Sequence, residues 1–503
     1  MKKASLLTLF LLVAMLILAA CGQGADNGAA TDEKDSFTFV SFMTTETLDP
    51  TSGIDIDKPV AHAIYDTLVC FAPDASIEPM LAESWTESDD GMSVTFNLRH
   101  GVKFHNGEEM TADDVIYTFD TMLEKPQYFK LVDYIKSYEK IDDYTVRFEK
   151  TAPYVKIFNV MAEHSYIVCK SAHEADPASY EVTPIGTGPY TFDSFDVDDS
   201  VKLKAFEDYW GEPAAFEYAI VKPYMDPATC VVALETGEID MALWLPVAQT
   251  ALVESNPDLT LVTEENSWSV NSLLLMGDIL NNDINLRRAI FHGINPENAI
   301  KLGNDGKGVP SKNLFADRVM GDYAGIIDFV GYDEQLAREC LSQSNYKGED
   351  IYLAFYDGVN IAESIQADLK ALGINIKLEQ LSANDWSTKV YGGEVDIAMA
   401  EFGGNMWSVE DGMTLYSQRN ASYGVHMAKN DEYEALLDAI AAETDADARR
   451  DLVKQAQQTL YDMATMVPLF GATFNYAYGP NIKYDYTCSA PTYVFYLGKV
   501  TRP

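Results

Sequence analysis

The chain has 503 residues, with 36 Lys and Arg against 78 Asp and Glu, for a formal net charge of −42. A surface this acidic repels nucleic acid and anionic lipid, so a nucleic-acid-binding role is excluded. With 47% hydrophobic residues, 29 Tyr and 23 Phe, general disorder is excluded too, and the length suffices for two or three cores.

Lys2 and Lys3 lead into an apolar run from Leu6 to Leu18, then Ala19, Ala20 and Cys21. The run is too short to span a bilayer and reads as a signal peptide over residues 1–20. Leu18-Ala19-Ala20-Cys21 resembles a lipobox, which makes Cys21 the expected lipidation site. Two acyl chains on one cysteine suffice for stable anchoring at the membrane. Residues 21–36, rich in Gly, Ala, Asp and Asn, form the lipidated N-terminus and a flexible tether.

The mature part opens with a strand at Phe37–Phe42, a turn at Thr47-Leu48-Asp49-Pro50, and a helix from Pro59 to Leu68. Trp85 to His100 reads as two strands reversing at Ser88-Asp89-Asp90-Gly91, and Asn106-Gly107 is another reversal. Thr111 caps a helix whose first turn carries Asp113 and Asp114, where the helix dipole favours acids. Hairpins follow at Ile141–Glu149 and Tyr190–Phe206, the latter turning at Asp198-Asp199. From Asn285 helices alternate with short strands: helices at 286–290, 333–342 and 361–372, strands at 351–355, 374–378 and 395–400. That order implies a parallel or mixed sheet with helices packed on it. Asp431 to Met463 holds two helices broken at Thr444-Asp445, and a strand region follows from Val467.

Nothing here reads as an enzyme. There is no Gly-x-Ser-x-Gly and no His-Glu-x-x-His, and the seven histidines are scattered without ligand spacing. Cys70, Cys169, Cys230, Cys340 and Cys488 match no metal-ligand spacing either. No cofactor and no resident metal are expected, and an exported hydrolase is the weaker alternative.

The motifs are more specific. Pro79-Met80-Leu81-Ala82-Glu83-Ser84-Trp85, Gly101-Val102-Lys103-Phe104-His105-Asn106-Gly107, Gly186-Thr187-Gly188-Pro189-Tyr190, Tyr209-Trp210-Gly211 and Leu286-Arg287-Arg288-Ala289-Ile290 stand in order along the chain. In these blocks the sequence resembles the extracellular solute-binding proteins of family 5, the peptide/nickel class of ABC importers. The resemblance implies an α/β, two-lobed periplasmic-binding-protein-like fold with an inter-lobe cleft. It places a first lobe at 37–70, 188–283 and 475–503, an inserted domain at 71–187 and a second lobe at 284–474. It further implies a monomer, lipid-anchored on the outer face of the cell membrane, that hands a peptide-like solute to an ABC permease and, through it, an ATPase. Nickel or metal-chelate binding in the same fold is the alternative, with His426 as its histidine.

Within Ala400-Glu401-Phe402-Gly403-Gly404-Asn405-Met406-Trp407, Gly403 and Gly404 expose backbone to a ligand while Phe402 and Trp407 supply apolar walls. By the resemblance, Asn405 occupies the position of a carboxylate that pairs with a peptide's amino group, and an amide cannot neutralise an ammonium. Glu401, Glu410 or Asp411 would then act from a shifted position. The opposite wall is expected from Ile54 and Asp55, with Trp244 and Trp268 as further ligand contacts.

Overall fold

The hairpin read at Trp85–His100 forms the strands Ala82–Glu87 and Ser93–Leu98, reversing at Gly91, whose φ of +67° suits glycine. The structure, a computed structural model, describes residues 35–41, 45–52, 56–125, 134–153, 156–196, 199–223, 225–264, 268–402, 407–486 and 494–503. Residues 37–503 form one compact unit; of the unit made by residues 1–36 only Asp35 and Ser36 are described. Cys21 and the tether as far as residue 34, with Ile54, Asp55, Gly403, Gly404 and Asn405, lie outside the described residues, and Ser36 already belongs to a strand.

Among the described residues the strands form four sheets. In the four-stranded antiparallel sheet, Ser93–Leu98 pairs with Ala82–Glu87 and Thr145–Lys150, and Ile135–Asp142 closes the far edge. The helix Ala112–Met122 lies over it, started by Asp114 Oδ2 accepting the Thr111 N–H at 2.9 Å. Val115 and Phe119 from this helix join Phe96 and Phe148 in one core. Each contributes about 1.5–3 kcal/mol by leaving water.

The helix read from Pro59 is Lys58–Ile64 and stops earlier than its apolar residues suggest. Tyr65 turns extended, and the chain runs on into a short strand, Val69–Phe71, paired with Ile77–Pro79. A continuous apolar run does not distinguish helix from buried strand.

The first lobe is built on the seven-stranded sheet. Its C-terminal strand Phe474–Tyr478 lies between Thr260–Glu264 and Met241–Ala242, and Met241–Ala242 pairs in parallel with Ser36–Val40. Gly186-Thr187-Gly188-Pro189 is a buried crossing on the helix Lys58–Ile64. A Cβ at Gly186 would lie 2.1 Å from the Ile64 carbonyl oxygen, and one at Gly188 would lie 2.5 Å from that of Ala63. Only glycine allows backbones this close.

The second lobe is built on the mixed five-stranded sheet, in the order Asn375–Gln380, Asp350–Phe355, Ile397–Phe402, Val270–Leu275, Met466–Gly471. Asp350–Phe355 pairs in parallel with both neighbours. Helices cover both faces, as a sheet of apolar strands requires. Leu273 and Leu275 point into one core with Ile290 and Ile365, while Val270 and Leu274 point into the other with Trp386 and Leu460. This sheet takes in the strand Val270–Leu275, ahead of residue 284 where sequence reading starts the second lobe. The chain passes between the two large sheets from Glu264 to Val270 and again from Gly471 to Phe474.

Candidate functional site

In an open α/β sheet, ligands gather at the carboxyl ends of parallel strands. Asp350–Phe355 and Ile397–Phe402 end side by side here, next to the two crossings. The two-residue alternation along a strand sorts what they present. Met399, Glu401 and the paired Asn271 fall on one face; Ala400, Phe402 and Trp268 fall on the other.

A cavity of about 530 Å³ opens on the first face, between the sheets of the two lobes. The first lobe contributes Trp244, the start of the helix Val247–Ser255, and Phe474 with Asn475. The second contributes Asn271, Glu401, Tyr356 and Asp357, with Asn304 at the rim. Thr473, on the second crossing, also lines it, and its Oγ1 has no hydrogen-bond partner among the described residues. Lys307 ties the lobes beside the cavity, donating to Thr250 Oγ1 at 2.7 Å and to Glu254 Oε1 at 3.0 Å.

The electrostatics are one-sided. Among the described lining residues there are two carboxylates, Glu401 and Asp357, and no Lys, Arg or His. Glu401 is exposed where it lines the cavity, yet desolvation by the protein around it pushes its carboxyl above the ordinary glutamate range; the hydrogen bond from Ser269 opposes this. Burial also raises the Tyr356 phenol, with the charges of Glu401 and Asp357 adding to the effect. Such a site favours a polar ligand with a cationic group. Its apolar walls are Tyr356, Trp244 and Phe474. The Trp244 ring stands edge-on to Phe474 at 5.2 Å, its backbone φ is +57°, and the side chain is 39% exposed. A tryptophan in the left-handed region is strained, and that conformation accompanies its place at the cavity.

The tryptophans named from sequence separate into two places. Trp244 lines this cavity; Trp268 and Trp407 lie together, 5.9 Å apart at 64°, at a different cavity on the opposite face. Trp407 is buried and stacks on Phe71 at 5.2 Å with an interplanar angle of 11°. Phe402 packs edge-on against Tyr423 at 5.5 Å. Of the three acids offered as substitutes for a carboxylate at position 405, Asp411 accepts from the Tyr134 hydroxyl and Glu410 faces Arg449 and Tyr323. Only Glu401 reaches the inter-lobe cavity. Asp357, Tyr356, Phe474 and Thr473 carry no sequence signal, because they meet only through the crossings.

His426 Nε2 lies 2.8 Å from the Tyr391 carbonyl oxygen, as a donor to it. His105 sits under the Gly186–Gly188 crossing, with Nε2 3.1 Å from the Gly188 carbonyl oxygen and Nδ1 accepting the Gly186 N–H at 3.3 Å. Burial lowers its pKa to about 4, so it is a neutral strut. Among the described residues no group of three or more His, Cys, Asp or Glu could hold a metal ion.

A family model described as bacterial extracellular solute-binding proteins, family 5 Middle, matches residues 76–424. Heme-binding protein A of Haemophilus influenzae is 27% identical, over 92% of this chain and 93% of its own. Di/tripeptide-binding protein 2 of Pseudomonas aeruginosa is 26% identical, over 83% of this chain and 86% of its own. Among solved structures, the periplasmic binding protein DppA from Helicobacter pylori in complex with peptide STSA aligns with a TM-score of 0.77 at 26% identity, covering 94% of this chain and 100% of that one. With two lobes joined by two crossings, a cavity between them, and a family match over most of its length, this chain belongs to the bacterial extracellular solute-binding proteins, family 5.

Proposed function

We propose that this chain is the solute-binding lipoprotein of an ABC importer, and that it captures a peptide-like solute with a free ammonium group in the inter-lobe cavity. Glu401 takes the ammonium, aided by Asp357. Trp244, Tyr356 and Phe474 hold apolar side chains, and the Asn271, Asn475 and Thr473 side chains meet the solute's amides. The single observation that carries this reading is the pair of carboxylates in a cavity with no basic residue among its described lining residues. Relatives named for di- and tripeptides, and a similar fold holding a peptide, support it.

On this reading the lobes separate to admit the solute and close to bury it, a hinge motion about the two crossings. The chain performs no chemistry; a permease receives the solute and its ATPase drives transport. Cys21 carries the lipid that keeps the protein at the outer face of the membrane, and the segments 37–70, 188–264 and 474–503 act together as the first lobe. Native mass spectrometry of freshly purified protein, followed by release of retained ligand, tests the assignment. A retained or library-derived peptide with a free amino terminus is expected. Tight binding of a sugar or metal chelate, with no peptide bound, would overturn the peptide assignment.

A further inference from the structure

A second cavity, of about 560 Å³, takes in Trp268 and Trp407, and among the described residues it shares no lining residue with the first. It lies between the four-stranded-sheet unit and the second lobe. Lys150, Lys156 and Phe158 come from the former; Arg318, Arg449 and Trp407 come from the latter. Its charge runs against that of the whole chain. Acids outnumber bases 78 to 36 overall, yet these walls carry four cations against three carboxylates, Glu87, Asp322 and Glu410.

Two of the three carboxylates are engaged. Lys150, almost fully buried, holds Glu87 at 2.8 Å. Glu410 lies 3.9 Å from Arg449, with both side chains largely buried, and accepts from the Tyr323 hydroxyl at 3.4 Å. Lys156 is exposed and forms no ion pair among the described residues. Beside these cations lies an apolar floor, formed by Trp268 and Trp407 with Phe158. The volume falls in the range of small-molecule sites, about 300–1,000 Å³. Guanidinium and ammonium groups recognise a carboxylate, and the arenes cover a flat apolar body.

We propose that this cavity is a second ligand site, for a small organic anion that carries a carboxylate on a flat apolar body. Its occupant touches both the four-stranded-sheet unit and the second lobe, so it favours the arrangement in which the two are in contact and is coupled to solute capture. The proposal does not depend on the solute being a peptide.

Calorimetric titration of the full-length protein with 2-naphthylacetate tests it, with 2-naphthylmethylamine as the cationic control. The acid is expected to bind at least about tenfold tighter than the amine, and to lose about tenfold in affinity in Arg318→Gln and in Lys156→Gln. Lys156 is exposed, so its variant keeps the fold, which an unchanged melting temperature verifies. Saturating trialanine is expected to leave the acid bound. Equal binding of acid and amine, or affinity unchanged in both variants, would overturn the proposal. Displacement of the acid by trialanine would place both in one site and overturn it as well.

Discussion

Tyr134 donates its phenolic hydrogen to Asp411 Oδ1 at 2.6 Å, joining positions 277 residues apart. The other oxygen of that carboxylate accepts the Trp407 N–H at 3.1 Å, and the Trp407 ring stacks on Phe71. One acid thus fixes both the Trp407 backbone and the contact between the four-stranded-sheet unit and the second lobe. Tyr134→Phe removes one hydrogen bond to a charged group, costing about 1.5–3 kcal/mol if it were fully buried and about 1 kcal/mol for this part-buried pair. A rise of roughly fivefold in the solute Kd is expected by calorimetry; an unchanged Kd would show that the contact plays no part in closure.

Trp407→Ala removes a buried ring that touches both Phe71 and Trp268. Truncations of this kind cost about 3–5 kcal/mol. Denaturant unfolding is expected to show that loss, with a drop in midpoint at unchanged slope. A loss below about 1 kcal/mol would mean that the ring is not packed as described.

Asp66 is buried and accepts from Trp210 Nε1 at 2.8 Å, Thr187 Oγ1 at 3.0 Å and Tyr209 at 3.3 Å. Burial outweighs these bonds and raises its pKa to about 7 from an ordinary 3.8. The folded state therefore holds a proton that the unfolded state has released between those values. The stability that this proton confers is complete below about pH 4 and is lost as pH rises through about 7. Asp66→Asn removes the dependence. Its unfolding free energy relative to wild type is expected to improve from pH 5 to pH 8, by on the order of 2 kcal/mol, in denaturant titrations at the two pH values. Parallel curves across that range would contradict the raised pKa.

Cys21→Ser removes the expected acyl acceptor. In a bacterial host the variant is expected in the soluble extracytoplasmic fraction, and wild type in the membrane fraction, on immunoblots after fractionation. Equal membrane retention of the two would show that the anchor is not at Cys21.

Much of the fold is legible in the sequence because local rules state it. Thr111 with Asp114 marks a helix start, Gly91 marks a hairpin, and Gly373, at φ +94°, stops the helix Val359–Leu372 as its position predicts. The family was legible for a different reason: its motifs build fixed contacts, such as Trp210 and Thr187 meeting on Asp66. The cavity was not. Glu401 was read only as one of three substitutes, since sequence cannot say which acid faces the cleft. The choice follows from strand alternation, which turns Glu401 toward Asn271 while Trp268 points to the opposite face. Tyr356, Asp357 and Phe474 are ordinary residues at strand ends and become a wall only once the two sheets are side by side.

The central claim is that Glu401 captures the ammonium group of the solute. Titration of wild type and Glu401→Gln with trialanine and with N-acetyl-trialanine tests it most directly. Wild type is expected to bind the free-amine peptide at least about tenfold more tightly than the acetylated one. That preference should weaken as pH falls and the raised carboxyl of Glu401 takes up a proton, and it should vanish in Glu401→Gln. Equal affinity of wild type for the two peptides, or a preference that survives in Glu401→Gln, would contradict the claim.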